Sequence, residues 1–309
     1  MLLNSKQIKD YALNLGVDLI GIAPASFDKE GQKKLETYIK EGRQGEMSYL
    51  EDYKKRVDPA TLLKSAASVI VIGINYYREV ERIPRGHGKI ARYAYGRDYH
   101  KVIKKVLKRI VQFLEEHEPK SENKICVDSS PILEKSYAVQ AGLGFIGKNT
   151  TLITPEFGSF VLLGEILTSL KLKCDKPSKG TCGTCTRCLD ACPTKALIAP
   201  HQMDANRCIS YLTIEKKGRI PKQFHKKMGN KIFGCDACQE ICPYNMAHAK
   251  ELTFEDLKHT QIAGHSLKID EVSNIKTDKQ FTERFAGSPL MRAKRKGLQR
   301  NAKIVQENI

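Results

Sequence analysis

Eight cysteines fall between Cys182 and Cys242 of a 309-residue chain, and their spacing constrains the fold more than any other feature. The first block reads Cys182-x2-Cys185-x2-Cys188-x3-Cys192-Pro193. That run holds cubane iron–sulfur clusters in bacterial ferredoxins. The second block reads Cys235-x2-Cys238-x3-Cys242-Pro243, and Cys208, displaced by an insertion, stands in for its missing first cysteine. Eight thiolates suit two 4Fe–4S clusters. When two clusters share a module, the last cysteine of each run ligates the other cluster. The expected sets are Cys182, Cys185, Cys188 and Cys242 for one, and Cys192, Cys208, Cys235 and Cys238 for the other. Pro193 and Pro243 turn the chain away after each crossing cysteine. A zinc ribbon also uses Cys-x2-Cys pairs. It does not need a third cysteine at x2 and a fourth at x3 before proline, twice over.

The other two cysteines, Cys126 and Cys174, are isolated and read as ordinary thiols. The N-terminus has no basic start and no continuous apolar stretch, so it does not read as a signal peptide. The longest apolar runs, such as Ser68 to Tyr77, are too short to span a bilayer. A cytoplasmic location without membrane contact is expected, and thiols there stay reduced. The net charge is +17, with 52 Lys and Arg against 35 Asp and Glu. Such an excess favours a polyanionic partner, nucleic acid first. The excess is also clustered: Lys216 to Lys231 and Arg284 to Lys303 each hold seven Lys or Arg and no acid.

Periodicity predicts a helix from Ser5 to about Leu15, a strand over Val17 to Ala23 and a helix from Asp28 to about Lys40. "SVIVIGINYY" reads as the strongest strand. Asp98 to Glu118 reads as an amphipathic helix with Val102, Val106, Leu107, Ile110 and Phe113 on one face. "KICVD" is a strand, "PILEKSYAVQAG" a helix starting at Pro131, and "TTLIT" and "SFVLLGEILTSL" are strands. The expected organisation is a domain over residues 1–172, a cluster module over 173–245 and a basic, mainly helical segment over 246–309. The fold class is α+β.

"GLGFIG", Gly142 to Gly147, matches the dinucleotide-binding glycine pattern, and "GLGFIGKN" nearly matches a phosphate loop. Both motifs require a strand before and a helix after. Here the order is reversed, and Asn149 replaces the required hydroxyl. These glycines are expected to form a close-approach turn, either for packing or to admit a large flat cofactor.

Taken together, "KIARYAYGRDYH", "VDSSPILEKSYAVQAGLGFIGKNT", "CGTCTRCLDACPTKAL", "RCISYLTIE" and "GCDACQEICPYN" occur in this order. The chain thereby resembles the epoxyqueuosine reductases over nearly its whole length. The resemblance implies a cobalamin-dependent iron–sulfur enzyme related to reductive dehalogenases. Its N-terminal cobalamin-binding domain would be of a modified nitroreductase type, followed by a two-cluster ferredoxin-like module. HEAT-type repeats, which many members carry, would be largely absent here. The implied reaction is the last step of queuosine formation, a two-electron removal of the epoxide oxygen from the wobble base of tRNA. The implied partners are that tRNA and an external low-potential electron donor, with the enzyme a monomer.

The same resemblance places the proton donor at Glu134, with Asp128 as runner-up; Asp128 has the competing task of capping the helix at Pro131. Implied cobalamin contacts are Val57, Arg97, Glu134, Ser159, Thr168 and Tyr211. Asp98 and His100 adjoin Arg97; Asp98 reads equally as a helix cap, and His100 alone is weak evidence for cobalt ligation. A tRNA strip is expected at Lys216, Lys217, Arg219, Lys222 and His225. Two alternatives differ in kind. A cobalamin-dependent reductive dehalogenase acting on a small molecule needs no basic strip. A ferredoxin-type electron carrier needs no large N-terminal domain.

Overall fold

The structure, a computed structural model, describes residues 3–80, 82–258 and 262–309. Its central sheet has four strands in the order Leu19–Pro24, Ser68–Asn75, Val161–Thr168, Asn123–Cys126. Every neighbouring pair is antiparallel. Helices cover both faces. On one face, Ile22, Ile70, Ile72, Ile74, Leu162 and Ile166 pack against Ile103, Leu107 and Ile110 of the helix Tyr99–His117. On the other, Ala23, Val69, Val71 and Leu167 meet Tyr137 and Ala138 of the helix Glu134–Gln140. Successive strand side chains point to opposite faces. A strand covered on both therefore reads as an unbroken apolar run, and all of Ser68–Asn75 is buried.

Local chemistry sets the helix ends. Asn4 and Gln7 form a capping box on Ser5–Asn14, and Gly16, at φ +87°, turns the chain out after it. Asp28 caps Lys29–Lys40, and Asp98 caps Tyr99–His117 through the His100 N–H. Phe113, at the edge of the apolar face, stacks on Tyr11 with ring centroids 4.2 Å apart. One helix starts late: it begins at Glu134, three residues after Pro131, and its cap position, Leu133, offers no side-chain hydrogen bond.

The C-terminal segment is mainly helical, but Ser266–Lys268 is a strand. It joins His87–Ile90 and Lys231–Phe233 in a second sheet. One apolar core accordingly draws on Ile90 and Tyr95, on Ile232 and Phe233, and on Leu267, Phe285, Leu298 and Val305. The helix Lys294–Gln306 is tied to it by Asn301, whose buried amide donates to the carbonyls of Thr213 (2.8 Å) and Ile232 (3.0 Å). Among the described residues no helix is long and apolar enough to cross a membrane.

Candidate active site and cluster module

The strand Asn123–Cys126 ends in a turn at which Asp128 adopts φ +41°. Only a few residue types occupy that region without glycine, Asp among them, and such strain collects at functional sites. The turn presents an exposed carboxylate. Asp128 Oδ2 accepts from the Tyr99 hydroxyl at 2.8 Å and lies 2.8 Å from His100 Nε2. The other ring nitrogen of His100 is 2.6 Å from Asp98 Oδ1. Burial works against the charged imidazole, but the two carboxylates outweigh it and push His100 up to about 9. The hydrogen bond to His100 in turn holds Asp128 below the usual carboxylate range. Asp128 therefore caps no helix; its side chain belongs to a Tyr99–Asp128–His100–Asp98 array. His100, weak evidence when taken alone in the sequence, is the hub of that array.

Glu134 lies behind this turn. Its carboxylate accepts the backbone N–H of Asp128. Burial first, and then the charge of Asp128, push Glu134 up to about 7. Beneath it is Glu165, fully buried in the central sheet, which burial and the neighbouring Glu134 push well above the usual range. Periodicity singles out neither Tyr99 nor Glu165. A lone acid inside the apolar run "SFVLLGEILTSL" is the available signal for Glu165, because Glu is almost never buried unpaired. Around Asp128 stand Tyr49 and Arg292, each close enough to share its field. Arg292 is paired to Glu215 through two 2.8 Å hydrogen bonds, and Arg56 and Arg292 both lie over the exposed Tyr49 ring.

The other residues expected to touch cobalamin are held within the chain. Val57 is buried, and its carbonyl accepts from Asp28 N–H. Thr168 is buried at the end of its strand. Tyr211 is buried too, and its hydroxyl accepts the Glu46 N–H at 2.7 Å. Ser159 is fully engaged by Asn245 and Gln239, with Ser159 N–H to Asn245 Oδ1 at 2.6 Å and Asn245 Nδ2 to Ser159 Oγ at 2.9 Å. Arg97 is exposed and lines a separate cleft of about 250 Å³ with Lys101, Lys105 and Asp256.

The eight cysteines form two groups. Cys182, Cys185, Cys188 and Cys242 line one cavity of about 420 Å³. Cys192, Cys208 and Cys238 pack in one apolar cluster with Leu189, Ala196 and Leu197, which Cys188 of the first group also touches. Cys238, raised by burial, next feels the charges of Cys235, Cys208 and Cys192; Cys242, likewise raised by burial, feels those of Cys182 and Cys185. Four thiolates drawn together without a cation repel one another, so each set has the chemistry of a cluster site. Backbone N–H groups already point at sulfur, Lys148 to Cys182 at 3.4 Å and Ala196 to Cys192 at 3.2 Å.

The glycine turn joins the two regions. A Cβ on Gly144 would lie 2.2 Å from the Ile153 carbonyl, so close packing alone requires glycine there. Beyond the turn, Lys148 Nζ donates to Gly183 O at 2.7 Å, beside the first cluster set. Arg92 makes a second joint: it is buried, bonds Glu240 at 2.7 Å and Asp236 at 3.3 Å, and lies over the rings of Tyr77 and Phe160.

Comparison with known proteins matches the model described as "Epoxyqueuosine reductase QueG, DUF1730" to residues 56–129 and the model "4Fe-4S double cluster binding domain" to residues 181–245. The chain is 41% identical over 304 residues to an epoxyqueuosine reductase of Leadbetterella byssophila, covering 98% of both chains. This chain belongs to the epoxyqueuosine reductase family. The epoxyqueuosine reductase of Synechocystis sp. is 40% identical, over 92% of this chain and 98% of that one. The solved structure of epoxyqueuosine reductase from Bacillus subtilis, in which a catalytic loop named for an aspartate is swung out of the active site, superposes with a TM-score of 0.89. It is 33% identical and covers 98% of this chain and 81% of that one. An epoxyqueuosine reductase crystallised with an epoxyqueuosine-modified tRNA stem loop has the same TM-score and identity, covering 98% and 80%.

In this reductase-family chain the expected tRNA strip is divided. Lys217, Arg219 and Lys222 are exposed. Lys216 is held 2.5 Å from Glu46, and His225 lies 3.1 Å from the Ile220 carbonyl and 3.6 Å from Glu307. The C-terminal basic segment supports the strip rather than standing apart. Arg300 donates to the carbonyls of Leu212, Lys216 and Gly218, and Asn308 to those of His225 and Gly229.

Proposed function

We propose that this chain reduces epoxyqueuosine to queuosine in tRNA, and that Asp128 presents the proton. The observation that carries the assignment of Asp128 is its exposed carboxylate, on a strained turn, within hydrogen-bonding distance of His100 and of Tyr99. Glu134, the first expectation for this role, faces inward and is occupied by the Asp128 N–H. The relative from Bacillus subtilis has its catalytic aspartate on a loop, and Asp128 is the loop aspartate of this site.

The reaction breaks two C–O bonds, forms a C=C bond and releases the oxygen as water, which consumes two electrons and two protons. The two cysteine sets would hold two 4Fe–4S clusters, Cys182, Cys185, Cys188 and Cys242 for one and Cys192, Cys208, Cys235 and Cys238 for the other. An external low-potential donor would feed them. Tyr49 and Arg292 near Asp128, with Arg56 over the Tyr49 ring and Glu215 paired to Arg292, offer hydrogen-bonding groups that suit the peripheral amides of a corrinoid. When bound, clusters and cobalamin supply single electrons and a strongly reducing centre. The chain's own task is the proton. An opening epoxide develops alkoxide charge, which Asp128 meets with a proton drawn from His100 Nε2. Tyr99 holds the carboxylate in place. Lys217, Arg219 and Lys222 bind phosphates and orient the anticodon stem.

Neither a small-molecule dehalogenase nor a bare electron carrier accounts for near full-length similarity to epoxyqueuosine reductases. The test is to incubate the anaerobically reconstituted protein with cobalamin, a strong reductant and tRNA carrying epoxyqueuosine. Nucleoside mass analysis should show loss of one oxygen. Turnover of an organohalide but not of the tRNA would refute the proposal.

A further inference from the structure

Glu165 is an acid without a water-accessible surface and, among the described residues, without a cation. It sits in the strand Val161–Thr168, opposite Val71 on one side and Cys126 on the other. Strand alternation places it on the face of Leu163 and Leu167, under the helix Glu134–Gln140. It is 0% exposed, and with all carboxyls ionised neither carboxyl oxygen has a hydrogen-bond partner among the described residues. The group within hydrogen-bonding reach is the carboxyl of Glu134. The titratable groups facing the pair are Asp128 on the turn, Lys135 on the covering helix and Cys126 on the adjoining strand. The strand Ser68–Asn75 carries none. Lys135 directs its ammonium to the Thr150 carbonyl at 2.7 Å, and burial pushes the Cys126 thiol up to about 12, so neither supplies charge to Glu165.

Two ionised carboxylates in this position would repel each other and leave buried acceptors without donors. A single proton between them removes both penalties. We propose that Glu165 is a positioning residue for the reductase site: it shares one proton with Glu134 and so fixes Glu134 against the backbone N–H of Asp128. The shared proton leaves one negative charge on the pair. That charge strengthens the hydrogen bond from the Asp128 N–H, which holds the turn at its positive φ. The inference rests on the reading of Asp128 as the group that presents the proton. Glu165 never meets substrate; it acts through Glu134 and the turn.

Two substitutions separate this role from simple packing. Glu165→Gln keeps the shape and donates an amide N–H to Glu134 in place of the shared proton. Glu165→Leu removes the donor. Infrared difference spectra of the holoenzyme at about pH 8, above the ordinary carboxylate range, should show a protonated-carboxyl band in the parent protein. Glu165→Gln should abolish that band while single-turnover reduction of the tRNA stays within a few-fold of the parent. Glu165→Leu should be roughly 100-fold slower, the scale expected when a reacting group is displaced by about 1 Å, with tRNA affinity unchanged. Absence of the band in the parent, its survival in Glu165→Gln, or equal slowing by Gln and Leu would overturn the proposal. If Glu165→Leu does not fold, the spectra and rate of Glu165→Gln decide alone. Asp128→Asn should retain the band and lose turnover. Retained turnover there would instead overturn the role of Asp128, while the band still reports whether the shared proton exists.

Discussion

Replacement of Asp128 by Asn tests the assignment of the proton most directly. The carboxylate accepts from Tyr99 and His100, each at 2.8 Å, and Asn preserves the size of the side chain while removing its charge and its capacity to carry a proton. Two effects should appear together. Loss of a general acid lowers the rate by roughly 10²–10⁴, about 3–5 kcal/mol of barrier. His100 also loses one of two comparable carboxylate partners. Together these partners outweigh burial and lift it from 6.5 to about 9, so the variant should titrate below the parent. The sign follows from the raised value. Stabilisation from His100 is complete below its unfolded pKa and is lost as pH rises through about 9. The parent should therefore lose both His100 protonation and turnover over that alkaline range. The assays are single-turnover reduction of modified tRNA, at saturating reductant so that electron delivery does not mask chemistry, and NMR titration of the imidazole. Glu134→Gln provides the contrast, because Gln still accepts the Asp128 N–H and should cost far less than Asp128→Asn. Near-normal turnover by Asp128→Asn, with a large loss in Glu134→Gln, would refute the reasoning and make Glu134 the acid.

Replacing Cys208 by Ser should damage one cluster and spare the other, seen as a partial loss of iron and sulfide and of one set of electron-paramagnetic signals; equal loss of both clusters would contradict the two sets. Removing the charges of Lys217, Arg219 and Lys222 should reduce the salt dependence of tRNA binding by about one unit for each phosphate no longer neutralised, whereas Lys216, already held by Glu46, should contribute less. Asn245→Ala removes three buried hydrogen bonds, two to Ser159 and one to the Gln239 carbonyl. At about 1 kcal/mol each, and more where a buried group is left unpaired, denaturant unfolding should report a loss of about 3–5 kcal/mol.

The helices and main strands were legible because their signals are local. The capping box at Asn4 and Gln7, the apolar face of Tyr99–His117 and the β-branched run Ser68–Asn75 each depend on neighbours a few residues away. The late start of the helix at Glu134 was not legible. Pro131 is a good first helical residue, but Asp128 turns toward Tyr99 and His100 and leaves that helix uncapped. A strand at Ser266–Lys268 was hidden for a similar reason, since its partner His87–Ile90 lies far away in the chain.

The sequence by itself determined the two cysteine runs, the excess of positive charge and the family to which the chain belongs, because spacing and composition survive without coordinates. Only the tertiary structure decided which acid faces outward. Asp128 and Glu134 are six residues apart and chemically alike. Their difference comes from His100 and Tyr99, carried by another helix, and from Glu165, carried by a central strand. The charge state of a carboxyl is set by what surrounds it, and those surroundings exist only after distant segments have packed.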